Sequence, residues 1–478
     1  MISKNEILTH ATEINLNPHV VEKDYVLGWL LAGINEHPAL KTAWVFKGGT
    51  CLKKCYFETY RFSEDLDFTV RDPSHINEGF LRETFVEIAE WVSENTGIEI
   101  PDDRMLFEIY KNPRGKDAAQ GRIYYRGPVT PAGKQAMPRI KLDLSPDEIV
   151  ADTPVERSVS HEYSDRPADG ISILSYSYAE VFAEKIRALK ERTRPRDLYD
   201  VINFFRRPES RDLASAVCAL LEQKCQFKGI TVPTLSDLDD HKEACEGGWR
   251  EQLSHQLQSL PPFDSFWGEL PGFFRWLEHQ ESPAVALRPI PIAAGDVISP
   301  SIFRTPAASG QFGLLDRIRF AAVNRLCVEL DYRKESGERK TYLIEPYSLR
   351  RTQAGHIILY AVKLPTADGH AQSFRIDRMI TAAVSERAFT PRYAIDFLPD
   401  LPVNLSIQPP PVPQSTYAPR PRATRPTRGG SAMHYVFKCS VCGRQFTRKE
   451  YNASLNPHKN KQGYPCPGQV GIYVTTKF

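Results

Sequence analysis

The 478-residue chain has no apolar run near the ~18 residues that a membrane span needs, so no membrane association is expected. Its first residues, Met1 to Glu6, lack the apolar stretch of a signal peptide, and a cytoplasmic protein is expected. Paired cysteines are missing too. Nine are scattered through the sequence, which excludes the disulfide framework of a small secreted fold, and only Cys439, Cys442 and Cys466 have a telling spacing. Histidine is sparse, at 12 dispersed residues, and no Ser/His/Asp or Cys/His arrangement for nucleophilic catalysis stands out. Net charge is nearly absent at +2, yet that balance conceals an asymmetry. From residue 401 onward 11 Lys/Arg face one acidic residue, whereas the rest of the chain has 50 basic and 58 acidic groups. A basic tail on an acidic body points to a polyanionic partner for the tail, or to a solvated tail that binds nothing.

What is present is ordinary globular composition, 41% hydrophobic and 25% charged, over a length that suggests two or three domains. Periodicity predicts helices over 5–35, a short strand at Val45-Phe46, a helix from Thr50 to Tyr56 and a strand from Asp65 to Val70. A helix from Glu78 to Glu94 carries Leu81, Phe85, Ile88 and Val92 on one face. Strands are expected around Met105 to Tyr110, Arg122 to Tyr125 and Arg139 to Leu144, and helices dominate from 177 to 280. Together these make an α+β domain with a helical C-terminal half over 1–282. After a Pro-rich join at 283–310, a second unit at 311–397 combines a helix from Leu314 to Leu326 with strands at Cys327 to Arg333, Thr341 to Pro346, His356 to Val362 and Ser373 to Ile376. Residues 398–432, rich in Pro and Arg, read as an extended linker, and 433–478 as a small cysteine-bearing module.

Three clusters carry chemistry. The first is Phe46-Lys47-Gly48-Gly49-Thr50, a small-residue turn entering a helix, followed by Ser63-Glu64-Asp65-Leu66-Asp67-Phe68. Backbone N–H groups at such a turn can face a phosphate, which makes Gly48, Gly49, Thr50 and Ser63 candidate nucleotide contacts. Strand alternation turns Asp65 and Asp67 to one face, where two Mg²⁺ (or Mn²⁺) ions could sit. Asp143 is the candidate third carboxylate, since Ile140, Leu142 and Leu144 bury the other side of its strand. The competing reading is a pair of solvent-facing acids. The second cluster is Glu184-Lys185 followed by Arg192, Arg196, Asp197 and Asp200. An ammonium in an apolar helical pattern must meet an anion, either a nucleotide triphosphate or a carboxylate of the next helix.

The third is Cys439-x2-Cys442-x15-His458-x7-Cys466, four soft ligands that suit a closed, structural Zn²⁺ site. Nearby Arg444, Arg448, Lys449, Lys459 and Lys461, interleaved with Phe446, Tyr451 and Tyr464, suggest nucleic-acid contact. A protein-docking ribbon is the alternative.

The combination of Glu22-Lys23-Asp24-Tyr25, Phe46-Lys47-Gly48-Gly49-Thr50, Arg61-Phe62-Ser63-x-Asp65-Leu66-Asp67, Lys141-Leu142-Asp143 and Glu184-Lys185-x6-Arg192-x3-Arg196-Asp197-x2-Asp200 resembles the AbiEii/MenT nucleotidyltransferases over about residues 5 to 280. These are toxins of type IV toxin–antitoxin and phage-abortive-infection systems. The resemblance implies a polymerase-β-like core, Asp65 and Asp67 as metal ligands, Lys185 on the triphosphate and Asp200 as an essential acid. It further implies an NTP substrate, an RNA acceptor such as tRNA, and a cognate antitoxin. Residues 315–379, including Tyr342-Leu343-Ile344-Glu345-Pro346-Tyr347 and Phe374-Arg375-Ile376-Asp377-Arg378, are similar to WYL domains, which implies a small Sm-like β-barrel. There Arg375 and Arg378 could form an anion site or pair with carboxylates. The expected activity is transfer of an NMP to RNA; the alternatives are nucleotidylation of a protein or of the enzyme itself, and a non-catalytic nucleic-acid-binding regulator.

Overall fold

The computed structural model describes residues 1–57, 61–130, 137–279, 287–298, 312–365 and 368–397, and in the tail 434–439, 442, 445–448, 455, 458–459, 465–466 and 471–477. The expected linker at 398–432, and 283–310 apart from 287–298, lie outside the described residues. Two compact units emerge, Met1–Leu405 and Ser406–Phe478. No helix among the described residues is long and apolar enough to cross a membrane.

The first unit opens with α1 (Lys4–Glu13) and α2 (Pro18–Glu36). Asn17 caps α2 by accepting from the His19 N–H, and Pro18 sits where its missing N–H costs nothing. Helix α2 is buried almost all round from Val21 to Asn35, because it packs between the sheet and α4 (Glu78–Thr96). The sheet has seven strands in the order β3-β4-β5-β2-β1-β7-β6: β1 (Trp44–Lys47), β2 (Asp65–Val70), β3 (Met105–Lys111), β4 (Asp117–Tyr124), β5 (Arg139–Ser145), β6 (Val155–Val159) and β7 (Ile171–Ser175). Strands β6 and β7 were not foreseen. Five residues of alternating character, Ile171 to Ser175, are a short signal, and β6 is a charged edge strand with little apolar content. After β1 comes α3 (Gly48–Cys51), continued by a π-helical turn over Leu52–Tyr56.

Helices complete this half: α5 (Tyr178–Arg192), α6 (Pro195–Phe205), α7 (Ala214–Lys228), α8 (Ser236–Asp239), α9 (Lys242–Leu253), α10 (Asp264–Trp267) and α11 (Leu270–His279). The expectation of a helical C-terminal half therefore holds.

Next, α12 (Phe312–Val323) leads into β8 (Leu326–Arg333), β9 (Arg339–Arg351), β10 (Ile357–Leu364), β11 (Ala371–Arg375) and β12 (Met379–Ala388). These strands form an antiparallel sheet ordered β11-β10-β9-β8-β12, with β12 an addition to the sequence reading. Strands β11 and β12 stand at its two edges, and no pairing among the described residues closes it into a barrel. Residues of this part and of the first half share one apolar core. Polar contacts tie them as well. Arg317 donates to the Glu13 and Thr12 carbonyls at 2.8 and 3.1 Å, and the Tyr199 hydroxyl donates to Asn324 Oδ1 at 2.7 Å.

In the second unit β13 (His434–Cys439) pairs with β14 (Gln445–Arg448) and β17 (Gly471–Lys477), while β15 (His458–Lys459) pairs with β16 (Pro465–Cys466).

Candidate active site

Strands β2 and β5 run parallel, with Asp65 opposite Lys141 and Asp67 opposite Asp143. Leu66, Phe68, Leu142 and Leu144 are buried beneath, so the alternation expected from sequence leaves the three aspartates on the other face. Lys47 stands opposite Asp67 on β1, with its Nζ 3.7 Å from Glu148. Burial first, and then Asp143, push the Asp67 carboxyl up to about 6. Burial also raises Asp65, against the pull of Lys141 and Lys23. Asp143 has partners of its own: Lys141 donates to Oδ2 at 2.8 Å and Gln120 to Oδ1 at 3.0 Å.

The glycine turn lies directly on this face. Gly48 has φ +82°, and a Cβ there would fall 2.2 Å from Asp67 Oδ2, so both backbone angle and space demand glycine. A Cβ at Gly49 would sit 2.9 Å from both Ser63 Oγ and Arg61 Nη2, which brings Ser63 beside the turn. Thr50 is buried, and its hydroxyl donates to the Asp65 carbonyl at 2.5 Å. It thereby locks the turn to β2.

Helices α5 and α6 face the same place. Lys185 Nζ lies 2.7 Å from Asp200 Oδ2 and 3.4 Å from Asp197 Oδ1. In the structure, then, the anions that Lys185 meets are carboxylates of the next helix, while its charge also acts on Asp67. Asp200 is fully buried and accepts a two-pronged bond from Arg61, Nε to Oδ1 and Nη2 to Oδ2, each at 2.8 Å. Burial alone would raise its carboxyl, but Arg61 and Lys185 hold it far below the usual range. Arg192 makes the equivalent fork to Asp197 at 2.7 and 3.0 Å.

Sequence reasoning assigned no role to Arg61 or Lys141, although both lie in motifs singled out above. Nor does the sequence assign a role of its own to Arg196, which lies in the second cluster. It is half-buried, makes no ion pair with any described residue, and is held below the usual guanidinium range by burial and by Arg61. Its charge acts on Asp65, Asp197 and Asp200. Its signal in the sequence is its place in Glu184-Lys185-x6-Arg192-x3-Arg196-Asp197-x2-Asp200, which says nothing of its partners.

In the tail, Cys439, Cys442, His458 and Cys466 bring one ligand atom each within 4.8 Å of all the others. Cys439 and Cys466 Sγ are 3.8 Å apart, and Cys442 Sγ is 3.3 Å from His458 Nε2. The edges of a tetrahedron built on metal–sulfur bonds of ~2.3 Å and metal–nitrogen bonds of ~2.0 Å are about 3.5 to 3.8 Å, so these atoms fit a closed zinc site. Among the described residues this is the only group of three or more such ligands drawn together; the three aspartates stand wider, Asp143 being occupied by Lys141 and Gln120.

In the WYL-like part, Arg375 forks onto Asp377 at 3.0 and 2.6 Å, and Arg378 reaches Glu335 at 3.2 Å. Of the two readings, these arginines take the ion-paired one.

Residues 29–278 match the family described as nucleotidyl transferase AbiEii toxin, type IV TA system, and residues 313–384 match the WYL domain. Among solved structures, the chain is similar to MenT4, nucleotidyltransferase toxin Rv2826c from Mycobacterium tuberculosis H37Rv, at 18% identity over 58% of this chain and 90% of that one, with a TM-score of 0.35. Proteasome accessory factor B/C of Arthrobacter aurescens matches at 14% identity over 66% of this chain and 27% of that one, with a TM-score of 0.15. No curated protein matches the sequence.

Proposed function

This chain belongs to the AbiEii family of nucleotidyl transferase toxins, and on that premise we propose that it moves a nucleoside monophosphate from an NTP to an RNA acceptor, tRNA in the first instance. The observation that carries the reading is the set of Asp65, Asp67 and Asp143 on one face of adjacent strands, with Asp67 short of compensating charge. Their hard oxygens suit Mg²⁺ or Mn²⁺, which when bound would neutralise phosphate charge and lower the pKa of the attacking hydroxyl.

The chain's own residues then divide the work. The Gly48-Gly49 backbone and Ser63 approach the triphosphate, and Arg196, having no carboxylate partner among the described residues, meets its negative charge together with Lys185. Thr50 steadies the turn against β2. Asp200 acts as a positioning residue, holding Lys185 and Arg61 in place. Cys439, Cys442, His458 and Cys466 would hold Zn²⁺ as a folding element of the tail, whose basic sequence would serve RNA binding. A cytoplasmic setting, phage defence and control by a cognate antitoxin complete the proposal.

Incubated with labelled NTPs and total RNA, the purified protein should label a discrete RNase-sensitive band. Equal labelling by Asp65→Ala/Asp67→Ala would sink the reading, and RNase-resistant label on protein would replace its acceptor. Metal analysis should find one zinc per chain, lost in Cys442→Ser.

A further inference from the structure

A second feature adjoins the aspartates. A cavity of about 540 Å³ is walled by His19, Lys23, Glu64, Tyr124, Tyr125 and Arg139. Its walls come from the start of α2, the residue before β2, and the facing ends of β4 and β5, where Tyr124 pairs with Arg139. Two adjacent residues of α2 shape it. Glu22 accepts from the Val129 and Thr130 N–H groups at 2.5 and 2.9 Å, pinning the segment that leaves β4. Lys23 donates to Glu64 at 2.7 Å, pinning the residue next to Asp65.

Three properties describe what would fill it. The volume is in the range of small-ligand sites and suits one nucleoside. Among its lining residues Tyr124 is half-buried and offers an aromatic ring, whereas Tyr125 is 1% exposed. At the rim, Arg139 is exposed and donates only to the Tyr124 hydroxyl at 3.3 Å; no described carboxylate pairs with it. Its charge remains available to a phosphodiester.

The cavity's place relative to Asp65 decides between donor and acceptor. On β2 the glycine turn approaches at Asp67, while the cavity wall is Glu64, so the two lie to either side of Asp65 along the strand. In-line displacement requires the nucleophile and the leaving pyrophosphate on opposite sides of the reacting phosphorus. We propose that this cavity seats the 3′-terminal nucleoside of the RNA acceptor, its base against Tyr124 and the preceding phosphate at Arg139. The inference rests on the transferase reading above. In the step it serves, a ribose hydroxyl oxygen bonds to the α-phosphorus, the bond from that phosphorus to the bridging oxygen breaks, pyrophosphate leaves and the hydroxyl proton passes to solvent.

The test uses the full chain and RNA hexamers with a free 3′ hydroxyl. Tyr124→Ala and Arg139→Ala should each raise KM for RNA by about tenfold or more, the scale of one lost stacking or phosphate contact. KM for the NTP should stay within about twofold, and Arg139→Lys should recover part of the RNA affinity. A rise in KM for the NTP instead would give the cavity to the donor base, and unchanged constants would leave it without a substrate; either overturns the proposal. A hexamer ending in 4-thiouridine, irradiated with the protein without NTP, should cross-link at Tyr124. That readout needs no turnover, so an inactive protein that still cross-links there refutes the transferase reading alone, whereas an active one that cross-links elsewhere refutes the cavity assignment alone.

Discussion

The carboxylates of β2 and β5 and those of α6 belong to neighbouring parts of one half of the protein, yet their surroundings treat them oppositely. Asp197 and Asp200 are buried and met by Arg192, Arg61 and Lys185, and both are held below the usual carboxylate range. Asp67, with Asp143 beside it, is pushed up to about 6. Fully paired charges stabilise and position, whereas under-compensated ones store an affinity for cations that folding leaves unused. On the proposed function, the difference separates residues that would carry the chemistry from residues that would hold it in place, a distinction that residue type alone does not make.

The comparison can be broken most severely at Asp67. Asp67→Asn should lower nucleotide transfer by at least about a hundredfold, measured with labelled NTP. Its melting temperature should hold or rise, because a buried carboxylate beside a like charge is relieved. Asp200→Asn should do the reverse. Leaving Arg61 and Lys185 without their buried partner should cost about 3–5 kcal/mol in urea unfolding, with transfer falling as a consequence. Lost activity at unchanged stability would make Asp200 a reacting group and erase the contrast.

A third case sharpens it with a buried group that neither pairs nor reacts. Burial, then Lys54, hold His161 down at about 3 from an ordinary 6.5, and both ring nitrogens lack hydrogen-bond partners among the described residues. Between those values the unfolded chain takes up a proton that folded His161 refuses. Stability from this source is therefore complete above about 6.5 and is lost progressively as pH falls towards 3. The pH dependence of urea midpoints should flatten in His161→Phe. The smallest effect is expected where the WYL-like part meets α6: Tyr199→Phe removes the bond to Asn324 and should cost about 1 kcal/mol in the same assay.

Much of the site was legible because its signals are local. Asp65, Leu66, Asp67 and Phe68 alternate within four residues, and the glycines of the turn stand close ahead of them, so strand, face and turn could be read together. The tail cysteines followed from spacing in the same way. What escaped was non-local. Arg61 and Asp200 are 139 residues apart, and nothing near either names the other. The strands β6, β7 and β12 are short or mixed in character and gain their place from neighbours. Arg375 and Arg378 were read as an anion site or as ion pairs, and proximity to Asp377 and Glu335 chose between them.

By itself, then, the sequence determined that there would be a glycine turn, a two-carboxylate strand, a third acid on another strand and a four-ligand Cys/His group, because each depends on periodicity or spacing over a few residues. Only the tertiary structure decided that Asp67 and Asp143 stand in register, that Lys185 is shared between Asp197 and Asp200, that Arg196 has no ion-pair partner among the described residues and that a cavity opens beside Asp65. Those facts concern burial and charge compensation between distant segments. Such energies exist only once the segments have been brought together.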